Sequence, residues 1–160
     1  MNVTPQQKAW ITNPKIGSES LLSTDFGESF IAYLLSKQGV DVVRASSVGF
    51  DILAVDTAGR IFPKNRIVCI SVKARISKSQ KNYRPTIPIG SKKLLAAKKI
   101  WNAVAWVGIV VGSTRADNSL AAFLFPLKDL ARLHGSAVRE DVVSVSELYE
   151  NPTKRVVRLF

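Results

Sequence analysis

The spacing of apolar and polar positions changes several times along the chain, and each change marks an element. Phe26, Phe30, Ile31, Leu34 and Leu35 fall on one stripe at about 100° per residue, which predicts an amphipathic helix. Ser23 or Thr24 is placed to cap it, Asp25 and Glu28 suit its first turn, and Gly39 stops it. Glu28 falls at the margin of the stripe beside Leu35, so a carboxylate is expected at the edge of whatever the helix packs against. Residues 1–22 read as a polar extension ahead of this helix, with a short helical turn around Lys8 to Ile11.

The period then shortens to two. "VDVVRASS" (40–47), "FDILAV" (50–55) and "RIVCISVKARI" (66–76) read as strands, and "DTAGRIFPKN" between the last two is rich in turn formers, which predicts an antiparallel hairpin. In the third strand Val68, Ile70, Val72 and Ala74 point one way, and Ile67, Cys69, Ser71, Lys73 and Arg75 the other. A hairpin centred near Arg60 to Pro63 sets Asp51 opposite residues 71–73. Asp51 and Lys73 then become neighbours in space across 22 positions of sequence.

Residues 77–91 read as a polar loop broken by proline, and residues 91–103 as an amphipathic helix capped by Ser91. "VAWVGIVVG" (104–112) is continuously apolar, as a central strand covered on both faces must be. A strand over 120–127, a short helix over 128–135 and a tail with one or two short strands around a helical turn complete the order. This alternation predicts one α/β domain over residues 1–160, a sandwich with a mixed sheet.

Composition narrows the function. The formal net charge is +11 and the basic excess is local: Thr57 to Ala116 holds thirteen Lys or Arg and neither Asp nor Glu. A phosphate polyanion suits such a surface, because each phosphate neutralised releases a counterion. The alternative is a basic surface serving solubility or an acidic protein partner. Cys69 is the single cysteine, which excludes an intramolecular disulfide framework and a multi-thiolate metal site. No apolar run approaches the roughly 20 residues of a membrane helix, and the first residues carry no leader pattern, so a soluble cytoplasmic protein is expected. Gly-rich phosphate loops, nucleophile elbows and His-based metal clusters are absent from the sequence, and no organic cofactor is expected.

Hydrolysing a phosphodiester with a metal needs carboxylates for the ion and a cation near the attacking water or the phosphate. Glu28, Asp51 and Lys73 offer these from a helix edge and two adjacent strands. Lys73, at a position the pattern half buries, is costly without an anionic partner. On "FGESFIAYLLSKQGVDVVRASSVGFDILAVD" followed by "CISVKAR", residues 25–76, the chain resembles the PD-(D/E)xK nuclease superfamily, and its Holliday-junction-resolvase-like branch most closely.

The resemblance implies a restriction-endonuclease-like fold and a Mg²⁺- or Mn²⁺-dependent DNA endonuclease. Glu28 matches its helix acid, Asp51 its strand acid and Lys73 its lysine, while Val72 would offer its backbone carbonyl to the metal. Two departures stand out: Gly49-Phe50 replaces a proline-containing lead-in, and Ser71 replaces the middle acid. Ser71 can ligate through oxygen but brings no negative charge. Asp56 falls on the opposite face of its strand, and Glu19 and Asp117 are expected in loops, so none replaces that acid. The rival reading is a nuclease-fold module that binds DNA without cutting it; a third is an RNA-associated protein.

For DNA contact, Arg44, Ser46 and Ser47 precede Asp51 and are placed to line the same cleft, or are ordinary strand-end polarity. Arg75, Lys78, Lys81, Arg84, Lys92, Lys93, Lys98 and Lys99 could track a phosphate backbone with Tyr83 as a stacking surface, or form a solvated face. His134 reads as structural, Trp101 and Trp106 as core or interface anchors, and the tail "VVRLF" as a surface for a homodimer.

Overall fold

The first helix begins earlier than its expected cap. In the computed structural model of the chain, which describes residues 16–47, 49–77, 86–113, 120–134, 141–150 and 157–158, helix α1 spans Ile16–Lys37. Ser23 and Thr24 therefore lie inside it, and so does Glu19, which was expected in a loop. Extending a helix adds one hydrogen bond per residue without a new nucleus, and Glu19, Leu21 and Leu22 are good helix formers, so the short polar residues are carried through. The end is as expected: the amides of Gly39 and Val40 bond to the carbonyls of Ser36 and Leu35, and Gly39 takes φ 80°.

Three strands follow: β1 (Asp41–Ser47), β2 (Phe50–Val55) and β3 (Ile67–Ser77). The 77–91 segment is not loop throughout, because β4 (Thr86–Pro88) lies within it and Ile87 is fully buried. Then come α2 (Ser91–Ile100), β5 (Val104–Ser113), β6 (Leu120–Pro126), a 3₁₀ helix (Leu127–His134), β7 (Val142–Ser144), α3 (Val145–Glu150) and β8 (Val157–Arg158). The strands form a mixed six-stranded sheet in the order β1-β2-β3-β5-β6-β8 and a two-stranded sheet pairing β4 with β7. β3 runs antiparallel to β2 and parallel to β5, with ten residue pairs from Val68↔Val104 to Ser77↔Ser113. The described part of the tail, β8, pairs with β6 of the same chain.

Burial sorts the sheet into two faces. Val68, Ile70, Val72 and Ala74 of β3 join Ile31, Leu34 and Leu35 of α1, while Cys69 joins Leu94 and Ala97 of α2 on the other side. The α/β order and the mixed sheet expected from the sequence are therefore present, as three layers with the sheet in the middle. The α1 stripe is shifted from its expected centre: Ile31, Leu34 and Leu35 are buried, whereas Phe26 is 42% exposed and stacks on Phe30 at 5.6 Å between ring centroids. β5 is the central strand the apolar run predicts, buried from Ala105 to Val111. Among the described residues no helix is long and apolar enough to cross a membrane.

Asp56 organises the connection from β2 to β3. Its carboxylate is 1% exposed and accepts from the amides of Ala58, Gly59, Ile61 and Phe62 at 2.6–3.1 Å. Burial alone would raise its pKa, but these four donors outweigh it and hold the carboxyl below its ordinary value of 3.8. A depressed folded-state pKa contributes stability that is complete above the unfolded value and is lost as pH falls through the folded one. Asp56→Ala should therefore cost about 2 kcal/mol at neutral pH, since it strips buried amides of their acceptor. Urea denaturation at pH 7 and below pH 3 checks this, the difference between wild type and variant shrinking at the lower pH.

Candidate active site

The ladder between β2 and β3 runs from Val55↔Ile67 to Ile52↔Ile70 and stops there. One residue further, the Asp51 side chain replaces backbone: its Oδ2 accepts from the Val72 amide at 2.6 Å and from the Ser71 hydroxyl at 3.4 Å. Asp51 thus meets residues 71 and 72 as the hairpin register requires, and Lys73 is the next residue of β3. By alternation Ser71 and Lys73 share the face of Cys69, the side covered by α2. Ser71 is 5% exposed and Lys73 is half-buried. Among the described residues Lys73 makes no ion pair. Val72 is buried, and a strand residue directs its N–H and C=O to the same side, so its carbonyl faces the gap that Asp51 borders.

Glu28 comes from the other layer. Helix α1 rests on β3 at Gly27, where a Cβ would lie 2.6 Å from the Ala74 Cβ, so only glycine lets the helix sit this low over residues 72–74. The next residue, Glu28, is taken by Arg44: a guanidinium nitrogen lies 2.8 Å from Oε2, while the same group reaches Asp25 at 3.6 Å and bonds Ser29 Oγ at 3.0 Å. Arg44, expected to face nucleic acid, is in this structure a partner of the helix acids. Among the described residues, no group of three or more His, Cys, Asp or Glu is arranged to hold a metal ion.

The lead-in to Asp51 is built by close contact with α2. β1 turns into β2 through Ser47↔Phe50, and Gly49 has φ 101°. A Cβ at Gly49 would run into the Lys93 carbonyl oxygen, within the body of α2. α2 is in turn fixed at its start, though Ser91 is not its cap. Gly90 is the N-cap, in the left-handed region at φ 74°, and Asp141 supplies the carboxylate, accepting from the amides of Gly90 at 3.1 Å and Ser91 at 2.8 Å. A cap supplied from 50 residues away leaves no local signature in sequence.

The basic residues divide. Lys92, Lys93, Lys98 and Lys99 are exposed on α2, and Arg75 is exposed with its guanidinium on the Ala74 carbonyl at 3.1 Å. Lys78, Lys81, Tyr83, Arg84 and Asp117 lie outside the described residues, as do the side chains of Glu19, Ser46, Ser47 and His134. Cys69 is fully buried, and burial pushes its thiol up to about 11, so it is not a thiolate at neutral pH. Trp106 is a core residue, edge-on to Phe62 at 4.9 Å.

No protein-family model matches the chain, and no curated protein sequence matches it. Its structure is similar to that of a Holliday junction resolvase from the archaeal hyperthermophile Archaeoglobus fulgidus, at 20% identity and a TM-score of 0.49 over 78% of this chain and 85% of that one.

The Gly49 contact has a measurable consequence. Gly49→Ala forces a left-handed backbone onto a side chain and pushes α2 away, costing about 2 kcal/mol or more. Chemical denaturation measures the loss. A substitution tolerated within a few tenths of a kcal/mol would show that β2 and α2 do not meet as described.

Proposed function

We propose that the chain is a nuclease-fold domain of the PD-(D/E)xK type that binds DNA and hydrolyses its phosphodiester backbone with a divalent metal, Mg²⁺ or Mn²⁺. The observation that carries this is the fork where β2 leaves β3, which brings the Asp51 carboxylate against residues 71 and 72, beside Lys73. The quoted resemblance over residues 25–76 assigns the same residues to the site.

The donor set fits an ion completed by substrate. Mg²⁺ is commonly held by one or two carboxylates together with waters and substrate phosphates, and it tolerates sites that are not all-protein cages. Asp51 would hold it through Oδ1, the oxygen that takes neither the Val72 nor the Ser71 bond, and the Val72 carbonyl would add a second oxygen. Glu28 would add a carboxylate oxygen from α1, with Arg44 held on its Oε2. The ion, when bound, supplies Lewis-acid stabilisation of phosphoryl charge. The chain's own residues do the rest. Ser71 holds Asp51 in one orientation through its hydroxyl. Lys73 sets a positive charge next to the scissile phosphate, where it orients water or stabilises the charge that develops in the transition state. The lysines of α2 supply sequence-independent attraction for the DNA backbone.

A second reading keeps the fold and the DNA and drops the cutting. Ser71 favours it, since a buried hydroxyl stands where an active site of this type carries an acid, and Glu28 is already neutralised. Cleavage of supercoiled, linear and four-way-junction DNA with Mg²⁺ or Mn²⁺ separates the two. For the nuclease, Asp51→Asn and Lys73→Ala each lower the rate by about 100-fold or more while the fold is kept. Tight, salt-sensitive binding with no cleavage by the wild type establishes the silent module instead.

A further inference from the structure

Helix α2 ends on an indole. Trp101 occupies the C-cap, its amide bonded to the Ala97 carbonyl at 3.0 Å. The chain then closes with Asn102 at φ 46° and the Ala103 amide on the Lys98 carbonyl at 3.0 Å. This pattern fixes the Trp101 backbone without needing glycine. The side chain is fixed as well, because Phe50 meets the indole edge-on, with centroids 5.9 Å apart and planes at 85°. Phe50 is 1% exposed and Trp101 is 45% exposed, so the outer ring buries the inner one and keeps surface toward solvent. A large, rigid aromatic surface loses little conformational freedom when a ligand covers it.

The surroundings say what that ligand is. Lys98, three residues before Trp101, is its neighbour on the helix surface, and Lys99 follows it; both are exposed. The whole stretch from Thr57 to Ala116 lacks an acid, so an anion meets no repulsion from this segment. Phe50 also ties the indole to the candidate site, since it immediately precedes Asp51 and packs on the α2 face that Ser71 and Lys73 share. An aromatic surface next to lysines, packed on the residue that immediately precedes Asp51, matches the elements by which proteins hold unpaired nucleotides: stacking for the base, cations for its phosphates.

We infer that Trp101 is a stacking platform for an unpaired base, with Lys98 on the adjoining phosphate, and that it biases the site toward DNA carrying unpaired nucleotides over continuous duplex. In duplex both faces of each base are already covered by neighbouring bases, so the indole gains nothing from them. The inference rests on the DNA-binding reading above and specifies its substrate class.

Fluorescence anisotropy with a labelled duplex, the corresponding single strand and a duplex with a single-stranded gap tests it, at one fixed salt concentration. Trp101→Leu still covers Phe50 but offers no π face, and Trp101→Phe keeps one; circular dichroism verifies that each variant folds. Trp101→Leu should weaken binding to the single strand and the gapped duplex roughly 10-fold, with intact duplex changed less than about twofold and Trp101→Phe recovering most of the loss. Equal loss on all three DNAs, or no loss on any, overturns the platform while leaving DNA binding in place. A wild-type protein that binds none of them overturns the DNA-binding reading itself.

Discussion

The hydrogen bond from the Val72 amide to the Asp51 carboxylate marks where the β2–β3 ladder gives way to a side chain. Up to Ile52↔Ile70 the two strands satisfy each other's backbone; beyond it β2 turns toward β1, and the next amide of β3 on that side would be left without a partner. Asp51 fills the vacancy. A carboxylate bound to a backbone amide at a strand fork is held in one place, and β3 itself is held by ten pairs to β5, from Val68 to Ser77. The position of Lys73 therefore depends on a parallel ladder that the whole central sheet supports.

The two faces of that sheet do different electrostatic work. On the α1 side, Glu28 and Asp25 gather around Arg44 and close off their charge locally. On the α2 side the described basic residues come from a segment without an acid of its own, and the carboxylates bonded to that segment, Asp51 and Asp141, come from outside it. Gly27 and Gly49 are the contacts that set the two helices on the sheet. Each removes a side chain where helix and strand must touch, Gly27 against Ala74 and Gly49 against the Lys93 carbonyl.

Ser71 sits between these facts. Its hydroxyl satisfies Asp51 at low cost in a buried place, where an acid would need further positive charge or an ion to be tolerated. With Glu28 paired to Arg44, Asp51 is the carboxylate that stands at the fork.

The order of elements, the hairpin and its register were legible in the sequence, because period-two alternation in "FDILAV" and "RIVCISVKARI" and the turn formers between them are local properties. That alone set Asp51 against residues 71–73, and the unbroken apolar run of β5 marked it as the central strand. Helix α1 was legible in existence and not in its start, since a polar residue able to cap a helix need not do so. What only the tertiary structure decided were the contacts between segments far apart in sequence. These are the Asp141 cap on α2, the Arg44 hold on Glu28, the small strand β4 and the indole seated on Phe50. None has a local period, because each depends on how layers stack after the elements have formed.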